Sequence, residues 1–478
     1  MSPQHPLHNL GASILPPAWP QPLSAPPTST LTEGDLPRLL GVWSAASIVV
    51  NIIIGGGIFR LPSVVAAASG EVGAAMLAWV LGGVIALCGA LSYAELATLF
   101  PRAGGTYVYI REIYGPLPAF LSGWAWLVVW STSWAAIALV FAAYAGNFVS
   151  LSEWGTRVVA ALLILVVAAA NCRSVRLGAA IQNISAAAKV IALLGVTAVV
   201  FALGQRQGGA LANSPRLVPT AWTGFGTALI AALYAYNGWA TLGTLAGEVR
   251  DPDRTLPRAF VGGTALVTAI YLAVNLAYFY ALPFDVIVGS PLVAADAVRE
   301  VTGAAGASLV AALVMLSTFG ALNAAVLAGP RVFYAMAQDG MFFRVAATVH
   351  PRYRTPHVAT ASITLLALIA VASQTFAQLA QTMILGVLPF YALAIGGVLV
   401  LRRRSPQLAR PYRTPGYPLV PLLPLTAFLA LLVQALFQHP ARTAASLGYL
   451  FLGVPVYLGW RAAGARRAGL GTSRVGPP

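Results

Sequence analysis

Asn51-Ile-Ile-Ile-Gly-Gly-Gly-Ile-Phe59 lies in the middle of the first long apolar segment, residues 39–68. Three consecutive glycines in a helix interior cost about 1 kcal/mol each relative to alanine. In hydrocarbon, irregular backbone persists only where it lines a cavity, because each open polar group costs several kcal/mol. Gly55-Gly56-Gly57 therefore reads as a break that splits one span into two half-helices. The second half starts near Ile58, and its first N–H groups point back at the gap, a ready anion site. Close helix packing through small residues is the alternative, and it needs no break. A second interrupted run in a matching place favours the break.

Composition sets that stretch in a membrane. The 478 residues are 58% hydrophobic and 9% charged, with a mean hydropathy of +0.79. Soluble domains carry about 25% charged residues, so the expectation is an all-α polytopic membrane protein. Runs of about twenty apolar residues suffice to span a bilayer. Twelve candidates occur, at 39–68, 73–99, 116–149, 156–171, 177–203, 220–245, 259–282, 307–334, 357–376, 379–401, 419–437 and 444–460. With the N-terminus inside, the inner loops hold most of the arginines, among them Arg102, Arg111, Arg250, Arg254, Arg402 to Arg404, Arg410 and Arg413. The outer loops hold only Arg157, Arg206, Arg216, Arg299 and Arg442, with Arg60 nearby. The positive-inside bias thus predicts both termini in the cytoplasm and a place in the cell's inner (plasma) membrane. It also accounts for the net charge of +15 without nucleic acid.

The predicted division is a disordered cytoplasmic tail at 1–36, a transmembrane domain at 37–461 and a second cytoplasmic tail at 462–478. The first tail is rich in proline, serine and threonine, without the basic and apolar regions of a signal peptide. Asp35-Leu36-Pro37 reads as a helix start. Residues 106–114 read as a short amphipathic helix on the inner surface. The six prolines of 406–424 read as an extended inner connector. Cys88 and Cys172 fall at or inside apolar runs, so no disulfide framework is expected.

Tyr234-Ala-Tyr-Asn-Gly-Trp239 supplies the second break, through an Asn-Gly turn signal in the sixth run. Runs one and six each open a set of five, and breaks at matching positions of two halves point to a transporter with inverted repeats. The repeats cover about 39–203 and 220–401, with helices 419–437 and 444–460 outside them. A zwitterionic amino acid suits two such breaks. Its carboxylate accepts from Gly56 and Gly57, beside Gly55. Its ammonium finds carbonyls around Ile53, Tyr234 and Asn237, with Tyr236 and Gly238 in the same turn. No Asp or Glu lies centrally in runs one, three, six, eight or ten, so a cationic side chain lacks a counter-ion and neutral amino acids are favoured.

Ile54-Gly-Gly-Gly-Ile-Phe59 resembles the GSGIF element of the amino acid–polyamine–organocation (APC) superfamily. Tyr93-Ala-Glu-Leu96, Pro101-Arg-Ala-Gly-Gly105 and Tyr107-Val-Tyr109 resemble a block of its L-type amino acid transporter (LAT) branch. So do Tyr236-Asn-Gly-Trp239 with Gly247-Glu248, Asp251-Pro252 and Leu256-Pro-Arg258. Leu316-Ser-Thr-Phe-Gly320 with Asn323 and Arg331, and Arg410-Pro-Tyr-Arg413, complete a match from about Leu39 to Tyr412. The resemblance implies the LeuT-type 5+5 inverted repeat with discontinuous helices 1 and 6, alternating access, and transport or exchange of amino acids. It departs from the branch at Gly56, where many members have serine, and at Asn237, where glycine, aspartate or serine is common. Tyr234 falls where members place an aromatic gate; a packing aromatic is the alternative. Eukaryotic LAT members bond a glycoprotein through a cysteine between spans three and four. Residues 149–156 hold none, so no disulfide-linked accessory subunit is expected.

Lys189 is the only lysine of the chain, about twelve residues into the fifth run and near the bilayer midplane. An intramembrane charge is a functional candidate by default, and a lysine ammonium, unlike guanidinium, is a compact charge that can lose its proton. The segment 181–190 is similar to the LAT fifth span, which carries such a lysine where sodium-coupled relatives of the fold hold sodium. The resemblance implies an amine meeting a carbonyl near Gly55 or Ile52 and the hydroxyl of Ser317 or Thr318, and transport independent of sodium. A lysine that only ties helices together is the alternative.

Glu95 reads as either an inner gate partner for an arginine or a plain interfacial carboxylate. Glu248, Asp251 and Asp253, beside Arg250 and Arg254, read as a solvated connector that can also latch the gate. His350, His357 and His439 show no metal spacing. No nucleophile, Walker or dinucleotide motif appears, so neither an enzyme nor a cofactor is expected. The reading is a sodium-independent transporter of neutral L-amino acids, by exchange or proton-coupled uptake. A permease for cationic amino acids or polyamines is the first alternative and a transporter-like sensor a remote one.

Overall fold

The computed structural model describes residues 36–173, 175–203, 222–290, 292–438 and 440–472. The expected N-terminal tail, apart from Leu36, therefore lies outside the described residues, as do Asp35, Arg206, Arg216 and His439. Among the described residues the backbone is helical, with one isolated parallel bridge between Leu40 and Val249.

The first apolar run forms α1 (Val42–Ile53) and α2 (Gly57–Ser69), bent by 43° at the glycines. The run does not start at Asp35. Leu39 and Leu40 instead donate to the Glu248 carbonyl, each at 2.9 Å, and Arg250 N returns a bond to the Leu40 carbonyl. The lead-in is thus extended, and Gly41 caps α1. Next come α3 (Val72–Leu99), the short α4 (Thr106–Tyr114), α5 (Pro116–Ala145), α6 (Glu153–Arg173) and α7 (Val175–Leu203). Helix α8 (Trp222–Ala235) ends in a turn at residues 236–238, and a 3-10 helix, Trp239–Glu248, completes the sixth run.

The seventh run extends inward to form α9 (Pro252–Ala281), because Pro252 is preorganised for the first helical turn. Two helices not foreseen, α10 (Phe284–Gly289) and α11 (Val293–Thr302), follow it. The eighth run is α12 (Ala304–Ala328) and α13 (Pro330–Gln338), separated at Gly329. The remaining runs are α14 (His357–Ser373), α15 (Phe376–Arg404), α16 (Leu419–Gln438) and α17 (Pro440–Thr472). Helix α17 continues past residue 461 into the stretch expected to be a tail.

Among the described residues, eight helices are long and apolar enough to cross a membrane, or nine with the bent pair taken as one. The chain is a polytopic membrane protein. Helix α3 lies along α9, and α5 lies against α12 and α15. The two broken elements run between these groups, with α1 against α9, α7 and α12.

Candidate functional site

Gly238 brings the two breaks together. Its φ of 128° is open to glycine and disfavoured for other residues. A Cβ there would stand 2.4 Å from Ile52 Cγ2 and 3.0 Å from the Ile52 carbonyl carbon. The Tyr236–Gly238 turn thus rests directly on the end of α1.

On the first break, Gly55 N turns back to the Ile53 carbonyl at 2.8 Å. Helix α2 then opens at Gly57 with no side chain capping it, so its first N–H groups have no helical partner by geometry. On the second break, Asn237 N donates to the Tyr234 carbonyl at 3.1 Å.

Between the breaks lies a cavity of about 70 Å³. At about 15 Å³ per enclosed water centre that is room for about five waters, the scale of a small amino acid. Ile53, Gly55, Gly56, Gly57, Tyr234, Asn237 and Gly238 all line it, opposite Trp130 and Ser133 of α5 and Tyr391 of α15. Among the described residues, none that lines it is charged. The Tyr391 hydroxyl donates to Asn237 Oδ1 at 3.2 Å, and both residues line the cavity.

Two candidates take other positions. Tyr236 does not line the cavity. Its N–H still bonds to the Ala232 carbonyl at 3.0 Å, one helical turn back, and its ring is fully buried against Trp79 and Tyr271. The Ile53 carbonyl faces two donors already, Gly55 N and the Tyr271 hydroxyl at 2.7 Å. A carbonyl oxygen has two lone pairs, so Ile53 is not an open acceptor in this state. Among the described residues no donor reaches the neighbouring Ile52 carbonyl.

Lys189 is 1% exposed. Its Nζ donates to the carbonyls of Asn51 at 3.1 Å, Ile54 at 2.7 Å and Ser317 at 2.9 Å. The amine therefore sits at the first break, at Asn51 and Ile54 rather than Ile52 or Gly55. Ser317 serves it through its carbonyl, while the Ser317 hydroxyl donates to the Ile54 carbonyl at 3.1 Å. The Thr318 hydroxyl turns back to Val314 and Met315 of its own helix, the usual resort of a threonine in a helix interior. One and two turns from Lys189 on α7, Ser185 and Gln182 continue the polar face to Asn51 and Asn323.

At the end that the arginine bias assigns to the cytoplasm, Glu95 is 1% exposed and fully engaged. Arg402 meets it with both nitrogens, at 2.6 and 3.0 Å, and Thr414 N at 2.8 Å. Arg410 Nε lies 3.3 Å away as an ion pair without hydrogen-bond alignment. Glu95 thus ties α3 to the end of α15 and to the connector after it. Glu248 is not part of a solvated connector. The 3-10 helix carries it inside, where it is fully buried and paired with Arg331 of α13 at 2.8 and 3.2 Å. Only beyond it do Arg250, Asp251 and Arg254 reach solvent. On the same side Arg111 of α4 pairs with Asp339, whose Oδ2 accepts from Tyr107 at 2.8 Å. Burial first, and then the Asp339 charge, push the Tyr107 phenol well up, so it remains a donor.

A profile of the family described as "Amino acid permease" matches residues 40–459. The chain belongs to the amino acid permease family. It is 31% identical over 433 residues to the serine/threonine exchanger SteT of Bacillus subtilis, covering 90% of this chain and 98% of that one. It is 34% identical to the large neutral amino acids transporter small subunit 2 of Rattus norvegicus, over 88% of this chain and 80% of that one. It is 32% identical to the human cystine/glutamate transporter, over 88% and 85%. This permease thus sits among amino acid transporters, exchangers included.

Sequence reasoning missed Tyr271, Tyr391 and Trp130, which lie in apolar runs with no flanking signal. Arg331 stood in a quoted motif, but its partner Glu248 is 83 residues away in the chain, and nothing local pairs them.

Proposed function

We propose that this permease is a sodium-independent transporter of neutral L-amino acids. It would work by alternating access on a LeuT-type 5+5 inverted repeat within twelve spans, with repeats at 39–203 and 220–401. The observation that carries the reading is the cavity between two opposed helix breaks with no charged residue in its wall. Unpaired N–H groups at the start of α2 suit a carboxylate. Carbonyls at Ile52 and around residues 234–237 suit an ammonium, and a charged side chain would have no counter-charge there. That wall favours neutral substrates over cationic amino acids or polyamines. It also argues against carrying over a charged substrate from the cystine/glutamate relative.

Lys189 supports sodium independence. Its ammonium holds three carbonyls where a hard cation would otherwise be wanted, and Ser317 completes that corner. Thr318 is assigned no ligand role. Glu95 and Glu248, with their arginines, are assigned to holding the cytoplasmic side shut, and Tyr234 to closing over the substrate. The exchanger among the relatives favours antiport over proton-coupled uptake. We place both termini in the cytoplasm and the protein in the plasma membrane, working without a disulfide-linked partner.

Counterflow in proteoliposomes of the purified protein tests this, with and without internal substrate, sodium and a pH gradient. Uptake that needs internal neutral amino acid and ignores sodium is expected. Binding without flux under every gradient would instead identify a sensor.

A further inference from the structure

The 3-10 helix Trp239–Glu248 is ten residues long. Such helices rarely run beyond about four residues, because their hydrogen bonds are poorly aligned, and a stretch of this kind inside a span often marks a hinge or a segment under strain. Its bonds reach back three residues, from Thr241 N to the Gly238 carbonyl at 3.0 Å and from the Thr244 hydroxyl to the Thr241 carbonyl at 2.8 Å. The sequence matches that period. Trp239, Leu242, Leu245 and Glu248 recur at every third position and stack in one column. Alanine, glycine and threonine fill the other two columns, with Gly243 in one and Gly247 in the other.

The slender columns receive the loop before α4. Gly104 N donates to the Thr244 carbonyl at 3.1 Å. A Cβ at Gly105 would stand 2.8 Å from Thr244 N and 2.9 Å from the Gly243 carbonyl carbon, and one at Gly247 would stand 2.9 Å from Ala103 N. Loop and helix thus touch backbone to backbone. The inner end of the helix is held as firmly. Glu248 pairs with Arg331, and its carbonyl accepts from Leu39 and Leu40. In an α-helix each column would fan by about 60° for every three residues, and its larger side chains would enter the space of the loop.

We infer that residues 239–248 are a length switch in the inner half of the sixth span. The docked loop and the Glu248–Arg331 pair hold the 3-10 form while the cytoplasmic side is shut. When the loop leaves, the better-aligned α-helical bonds take over and the segment shortens. At about 2.0 Å per residue for the 3-10 form and about 1.5 Å for the α form, ten residues shorten by about 5 Å. Leu39 and Leu40 hang on the Glu248 carbonyl, so the start of α1 follows the change and the two broken elements open together. The inference rests on the alternating-access reading.

The test compares single-particle structures of the unaltered chain and of Gly105→Ala, both full length in lipid nanodiscs without substrate. The added methyl cannot coexist with the docked loop. In parallel, single cysteines at positions 240–247, in a chain carrying Cys88→Ser and Cys172→Ser, are labelled from the cytoplasmic side by a membrane-impermeant maleimide, with neutral amino acid on both sides. This second arm decides the matter if Gly105→Ala fails to fold.

Gly105→Ala is expected with its inner side open and with the Trp239–Glu248 Cα separation shortened from about 18 Å to about 14 Å. Labelling is expected at a spacing of four and then three residues, against an unbroken spacing of three for a 3-10 helix. An open inner side around an unshortened helix would overturn the inference, as would a shortened helix with the inner side shut. So would a variant that keeps both loop and helix in place, an unbroken spacing of three, or no labelling at all. Failure of the unaltered chain to carry any neutral amino acid would overturn the substrate assignment alone, because the separation is read without substrate.

Discussion

Truncating Lys189 to alanine removes one charge on which three helices hang. Nζ holds the Asn51 and Ile54 carbonyls at the end of α1 and the Ser317 carbonyl of α12, from its own place on α7. A hydrogen bond from a charged donor contributes about 1.5–3 kcal/mol. Three on one donor do not simply add, and water entering the vacated space offsets part of the loss, so a net cost of about 2–3 kcal/mol is the working figure. At about 1.4 kcal/mol per tenfold, the population holding the break in its bent form falls about 30- to 140-fold, and transport with it. Lys189→Arg should fail as well. The space beside Lys189 and Ser317 amounts to only about 10 Å³, and a planar guanidinium with fixed charge needs more room and another donor geometry. The assay is uptake per inserted molecule in proteoliposomes, with the melting temperature followed in parallel. Wild-type rates from Lys189→Ala, or an absolute sodium requirement in the native protein, would refute the assignment.

Gly57→Val should abolish binding in a protein that still inserts. A Cβ at Gly57 meets the Ala235 Cα at 3.1 Å, so the larger side chain forces α2 and α8 apart at the head site; undiminished affinity in the purified variant counts against that site. Gly55→Ala is the matched contrast and should keep its affinity, because its Cβ finds nothing closer than 3.7 Å. In a competition panel, neutral amino acids should block uptake while arginine, lysine and polyamines do so weakly or not at all; strong competition by arginine would overturn the neutral reading. Glu248→Gln leaves the Arg331 charge buried and unpaired, a loss of about 3–5 kcal/mol visible as a lowered melting temperature. The Glu248→Met, Arg331→Met double variant should recover much of that stability but not transport, and wild-type transport by the double variant would reduce the pair to a structural role.

The breaks and most of the helices were legible because membranes punish irregular backbone and reward long apolar runs, both of which are local properties. Gly55 to Gly57 and Asn237-Gly238 announce themselves against that background, and the helix limits follow within a few residues for most runs. Lys189 was legible for the same reason, as a lone lysine in hydrocarbon. Composition could not say which carbonyl a donor reaches. The amine meets Asn51 and Ile54 rather than Ile52 or Gly55, because the 43° bend decides which oxygens turn towards α7. Tyr236 and Asn237 are adjacent, and only the φ of 128° at Gly238 and the turn before it settle that one faces the cavity and the other Trp79. Glu248 shows the limit from the other side. Its charged neighbours suggest solvent, yet the backbone bonds from Leu39 and Leu40 to its carbonyl draw the 3-10 helix inward against α1. A carboxylate carried inside must find a cation, and Arg331 supplies it from a helix that chain order places 83 positions away. The Glu248–Arg331 pair was therefore beyond any reading of neighbours in sequence, whereas an arginine partner for Glu95 was one of the two readings offered and only its identity, Arg402, was not.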